Sequence, residues 1–110
     1  MAFDEGLAER VRALLEGRSD VEDKRMFGGI AFMVAGNMAC GVMGGDLMVR
    51  VGPDEAAALV ASEPGARPMD MKGRPMRGWV LVAPEAVADD GDLERWVRRG
   101  EEFAAGLPPK

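Results

Sequence analysis

The run MFGGIAFMVAGNMACGVMGGDLMVRVG, residues 26–52, sets the architecture. It is apolar and rich in β-branched and sulfur-bearing side chains. Two dipeptides interrupt it, Gly36-Asn37 and Gly44-Gly45, and both accept the positive φ that two-residue hairpin turns require. Three antiparallel strands follow, over 26–35, 38–43 and 46–51. A loop at 36–37 sets Met33 opposite Cys40, and a loop at 44–45 sets Cys40 opposite Val49. One face of this meander then carries Ala31, Met33, Ala35, Met38, Cys40, Val42, Leu47, Val49 and Val51. The other carries Ile30, Phe32, Val34, Ala39, Gly41, Met43, Met48 and Arg50. Both are apolar, whereas a half-exposed antiparallel sheet alternates apolar with polar. Each face therefore needs a cover.

Helices flank the meander. Asp4 is an N-cap for a helix over 4–16, with Phe3, Leu7, Val11, Leu14 and Leu15 on one side and Gly17 as its stop. Arg10 sits at the edge of that apolar stripe, where it either snorkels or points into a site. A second helix starts at Pro53, with Asp54 and Glu55 in its first turn, and ends before Pro64-Gly65. Short strands over 68–72 and 76–83 join through Gly73. A last helix runs from Asp90–Asp92 to about 106, with Leu93, Trp96, Val97, Phe103, Ala104 and Leu107 on its apolar side. Gly100 shares that side and costs about 1 kcal/mol of helix propensity relative to Ala, which close packing on the sheet would explain. The expected class is α+β, in the order α-β-β-β-α-β-β-α with a five-stranded antiparallel sheet. The 110 residues form one domain, 1–110, large enough to fold without disulfide or metal.

What the chain lacks narrows its chemistry. It has no His, Tyr, Thr or Gln, and one Cys, Cys40. Ser-His-Asp and Cys-His catalysis and His-ligated zinc all need an imidazole and are excluded. A lone Cys forms no internal disulfide or CxxC pair, and with no signal-peptide pattern at the N-terminus the expected location is cytoplasmic. Heavy use of Ala, Gly, Arg and Pro suits a GC-rich bacterial genome. Net charge is -5, so nucleic acid and anionic membrane repel the domain on average. The charge is segregated. Residues 67–77 hold Arg67, Lys72, Arg74 and Arg77 against Asp70 alone, while 85–94 hold five acids and no base.

Each remaining constellation has a plain alternative. Eight internal Met residues near Cys40 suggest a soft-metal site, yet on strands they read as adaptable packing, and no metal or cofactor is expected. Cys40, mid-strand and without a cationic neighbour in sequence, reads as an inert buried thiol. Asp89-Asp90-Gly91-Asp92 lacks the full spacing of a calcium loop and reads as helix capping. Gly28-Gly29 matches no phosphate-binding fingerprint and marks a bulge or a close backbone approach. The candidate anion site gathers Arg50, Arg74 and Arg77 beside the Gly28 and Gly29 backbone; its alternative is ordinary surface charge.

Lys24-Arg25-Met26-Phe27-Gly28-Gly29-Ile30-Ala31-Phe32, then Asn37-Met38, Asp46 to Gly52, and Gly73-Arg74-Pro75-Met76-Arg77-Gly78-Trp79-Val80 with Ala83-Pro84-Glu85, resemble the TfoX (Sxy) N-terminal domain family. The resemblance extends over about 3–107. It implies the element order given above, an architecture similar to type III secretion chaperones, and a binding role with no catalytic residues. Competence regulators of that family carry a second, C-terminal domain, and this chain stops at Lys110.

Two functional expectations follow. The first is a stand-alone, non-catalytic regulatory or adaptor domain that binds a protein partner or itself, and neither duplex DNA nor membrane. The second is a small anionic-ligand-binding domain that uses the Arg cluster. Part of the second sheet face, Ile30, Phe32, Val34, Met43 and Met48, is the expected interface. On that assignment Phe32→Glu separates a dimer without unfolding it, while Val49→Glu unfolds the chain.

Overall fold

A computed structural model describes residues 3–26, 28–71 and 73–110. Phe27 of the family-like block and Lys72 of the basic run lie outside the described residues. Helix α1 (Glu5–Leu15) precedes strands β1 (Val21–Met26), β2 (Gly29–Val34), β3 (Asn37–Met43) and β4 (Asp46–Arg50). Helix α2 (Pro53–Ser62), strands β5 (Ala66–Met71) and β6 (Arg74–Val82), a 3-10 turn (Pro84–Val87) and helix α3 (Asp90–Ala105) complete the chain. The class is α+β as expected, but the sheet has six antiparallel strands, in the order β1-β2-β3-β4-β6-β5.

The additional strand is VEDKRM, which has four consecutive charges and no apolar alternation, so periodicity does not reveal it. Its position explains its composition. It is a sheet edge, where charge blocks pairing with another chain. The opposite edge, β5, carries Pro68 with Arg67 and Asp70 to the same effect.

The second hairpin has the expected register, with Val42 opposite Leu47 and Cys40 opposite Val49. The first departs from expectation twice. Its turn is Ala35-Gly36, both at positive φ (52° and 84°), with Val34 opposite Asn37. The pairing also shifts between Phe32 and Met33, because β3 bulges at Ala39. Moving the turn alone preserves the faces; the one-residue bulge inverts β2 relative to β3. Ile30 and Phe32 consequently face the same way as Val42 and Cys40. The expected interface set divides: Ile30, Phe32 and Val34 are interior, at 2%, 1% and 0% exposure, while Met43 and Met48 lie on the other face.

All three helices cover the face of Ile30, Phe32, Cys40, Val42, Leu47, Val49, Val80 and Val82. Leu7, Val11 and Leu15 of α1, Ala56 and Leu59 of α2, and Leu93, Trp96 and Val97 of α3 join those residues in one core. Two helices are capped by acids: Asp4 accepts from Leu7 N–H, and Asp89 from the N–H groups of Gly91 and Asp92. Gly100 brings α3 against β3 so closely that a Cβ there would stand 2.3 Å from the Ala39 carbonyl oxygen. The helix thus seats on the bulge. That is the close packing its sequence position suggested.

Candidate functional site

The one thiol of the chain lies in the core. Cys40 is fully buried, and burial, with a smaller contribution from the Glu101 carboxylate, pushes its thiol up to about 12. A thiol held neutral at physiological pH is a poor nucleophile. Among the described residues no three His, Cys, Asp or Glu side chains gather to hold a metal ion. The acids around 89–92 are occupied: Asp89 caps α3, Asp90 pairs with Arg10 at 2.9 Å, and Asp92 pairs with Arg95. Arg10 also donates to the Val87 and Ala88 carbonyls, at 2.9 and 3.2 Å, tying α1 to the start of α3.

Of the candidate anion site, Arg50 does not stand beside the Gly28-Gly29 backbone. Arg50 ends β4 opposite Trp79, and Gly29 begins β2 at the end of the sheet where Met43 pairs with Asp46. Two strand spacings and four residues of rise separate Gly29 from Arg50, about 17 Å. Gly29 is instead pressed against β3, where a Cβ would meet the Val42 carbonyl oxygen at 2.6 Å. Gly28 is a turn residue with φ of 76°. Of the arginines, Arg50 is held over the Phe103 ring at 5.4 Å, with its Nη1 3.5 Å from the Met38 carbonyl oxygen. Arg74 stands at the tip of the β5–β6 hairpin, and both it and Arg77 are exposed. The separation of Arg50 from the glycines is topological: antiparallel order sends the β1–β2 turn and the end of β4 to opposite ends of the sheet.

The face turned away from the helices is built differently. Pairing places Ala31, Met33, Met38, Gly41, Met43 and Met48 on it, with Trp79 and Leu81 from β6. Its border is charged: Glu22 lies opposite Met33 and Lys24 opposite Ala31, while Arg67 pairs with Asp46 at 2.9 Å. The β5–β6 hairpin bends at Gly78, whose φ is 90° and whose carbonyl accepts from the N–H groups of Val51 and Gly52. Met69 and Met76 of that hairpin join Met26, Met38, Met43, Met48 and Trp79 around an apolar cavity of about 110 Å³. A larger cleft of about 490 Å³ adjoins it, between α2 and the hairpin, lined by Ala57, Val60, Met69, Met76, Trp79 and Arg77 among others. Arg77, Met43 and Met48 are among the residues singled out from sequence; this cleft is not. Its signal was the Pro-Met-Asp-Met and Pro-Met-Arg-Gly-Trp pattern ahead of a bend.

No helix is long and apolar enough to cross a membrane. No curated protein matches the chain. A family model described as the TfoX N-terminal domain matches residues 13–104. That span covers all six strands and α2, the last turn of α1 and all but the last residue of α3. The chain belongs to the TfoX N-terminal domain family.

Proposed function

We propose that this domain is a non-catalytic regulatory or adaptor module that acts by binding protein, with the uncovered face of its sheet as the contact surface. One observation carries the reading: all three helices pack on one face, leaving a methionine-rich apolar face that no helix covers and over which only the β5–β6 hairpin leans, with Met33, Met38 and Met43 half-buried. Contiguous apolar surface on a small domain marks an interaction site, and thioethers re-pack to suit a partner. The charged β1 and the Pro-bearing β5 disfavour strand addition at either edge, so contact is face-on. The partner is another protein or a second copy of the chain; a net charge of -5 disfavours duplex DNA and anionic membrane. An unpaired Cys40 fits a cytoplasmic setting.

The test uses Met33→Lys/Met43→Lys. Each new Lys faces an acid across the sheet, Glu22 or Asp46, so the fold is preserved. Wild type is expected to self-associate in light scattering or to capture a protein by affinity, and the double variant to do neither.

A further inference from the structure

The cleft between α2 and the outer half of the β5–β6 hairpin has the features of a small-molecule site that adjoins the proposed protein-contact surface at Trp79. Its volume of about 490 Å³ falls within the roughly 300–1,000 Å³ usual for such sites, which are mostly apolar with a few orienting polar groups. Ala57 and Val60 form one wall, and Met69, Met76 and Trp79 the other. Arg77 is the one charged lining residue among the described residues. It is exposed, and among the described residues it makes no ion pair; Arg67, on the same hairpin, is paired with Asp46. A guanidinium beside an acid-free apolar wall offers a carboxylate two parallel N–H···O bonds. With no second base in the lining, the cleft matches one negative charge better than a phosphate dianion. Met69, Met76 and Trp79 also border the 110 Å³ methionine cavity, so an apolar tail entering the cleft meets side chains able to re-pack around it.

We propose that this cleft binds a small amphiphilic carboxylate, its apolar tail against Trp79, Met69 and Met76 and its head held by Arg77.

The two tryptophans give separate readouts, since Trp79 lines the cleft and Trp96 is buried in the core at 2% exposure. The domain is titrated with decanoate, decanol and acetate while the two indole N–H resonances are followed. Decanoate is expected to shift Trp79 and leave Trp96 in place. It binds about tenfold tighter than decanol, and acetate does not saturate. From hexanoate to decanoate, affinity rises about fourfold per methylene, as apolar burial requires. Arg77→Gln lowers decanoate to the affinity of decanol without moving the thermal midpoint. Arg67→Gln changes nothing, and Ala57→Phe blocks the cleft to both ligands. Equal binding of decanoate and decanol, an unmoved Trp79, or wild-type decanoate affinity in Arg77→Gln overturns the proposal. The Arg77→Gln comparison stands even if Ala57→Phe fails to fold.

Discussion

The two faces of the sheet are both apolar, yet they are made of different residues. Toward the helices stand Ile30, Val42, Val49, Val80 and Val82, with Leu47 and Phe32, all at 2% exposure or less. Away from them stand Met33, Met38, Met43 and Trp79, half-buried, with Met48 buried among them. β-branched side chains have few rotamers and hold one packing arrangement; unbranched thioethers have many and accept several. The covered face has what a fixed core needs, and the uncovered face what a surface that meets other molecules needs. Hydrophobicity alone does not separate them. Side-chain stiffness does.

The largest expected contrast comes from placing a charge on each face. Val49→Glu and Phe32→Glu both abolish the cooperative unfolding transition seen by circular dichroism. A buried unpaired ion costs several kcal/mol, a large share of the roughly 5–15 kcal/mol that holds a domain together. For Phe32 this reverses the expectation from sequence, which had placed it on the interface face. Met33→Lys/Met43→Lys, in contrast, keeps the transition and costs about 1 kcal/mol or less.

A subtler contrast lies in how α3 seats on the covered face. Gly100→Ala gains about 1 kcal/mol of helix propensity, but its Cβ would meet the Ala39 carbonyl oxygen at 2.3 Å. Overpacking of this kind costs about 1–3 kcal/mol, so a net loss is expected. It would show as a drop in thermal midpoint of about 4–8 °C per kcal/mol. Gly17→Ala, where a Cβ meets nothing within 4 Å, is the comparison and leaves the midpoint nearly unchanged.

The pH dependence of stability reports on the same core. The folded Cys40 thiol is raised to about 12, against about 8.5 in an unfolded chain. Between those values the unfolded state releases a proton that the folded state keeps, so stability falls as pH rises. The slope approaches 1.4 kcal/mol per pH unit above about 8.5. Urea titrations at pH 8 and pH 10 are expected to show this loss in wild type and not in Cys40→Ala, whose own stability is lower but flatter. A thiol reagent leaves native Cys40 unmodified.

Much of the fold was legible because turns and caps announce themselves locally. Asp4, Asp89, Pro53 and Gly44-Gly45 act as read, and the second hairpin has the expected register. The first hairpin misleads for a tertiary reason. Asn37, the natural turn residue, is buried at 3% and donates from Nδ2 to the Pro108 carbonyl at 2.9 Å, while Lys110 N–H reaches the Ala35 carbonyl at 2.9 Å. Asn37 anchors the C-terminal segment, and Ala35 takes the positive φ in its place. The bulge at Ala39 is equally non-local, since it lies under Gly100, some sixty residues later in the chain. A one-residue bulge leaves no mark in hydrophobic periodicity, yet it inverts three interface candidates. Candidate residues were legible as to face where alternation sufficed, as for Met43 and Met48. They were not where a cleft depends on α2 meeting a bent hairpin.

The central claim, that the uncovered methionine face is the contact surface, is tested most directly by following association and folding together in wild type and Met33→Lys/Met43→Lys. Light scattering and affinity capture measure the first, and thermal unfolding the second. Wild type is expected to self-associate or capture a protein, and the double variant to melt within a few degrees of it but remain alone. Undiminished association in the folded double variant, or a wild type that stays monomeric and captures nothing, would contradict it.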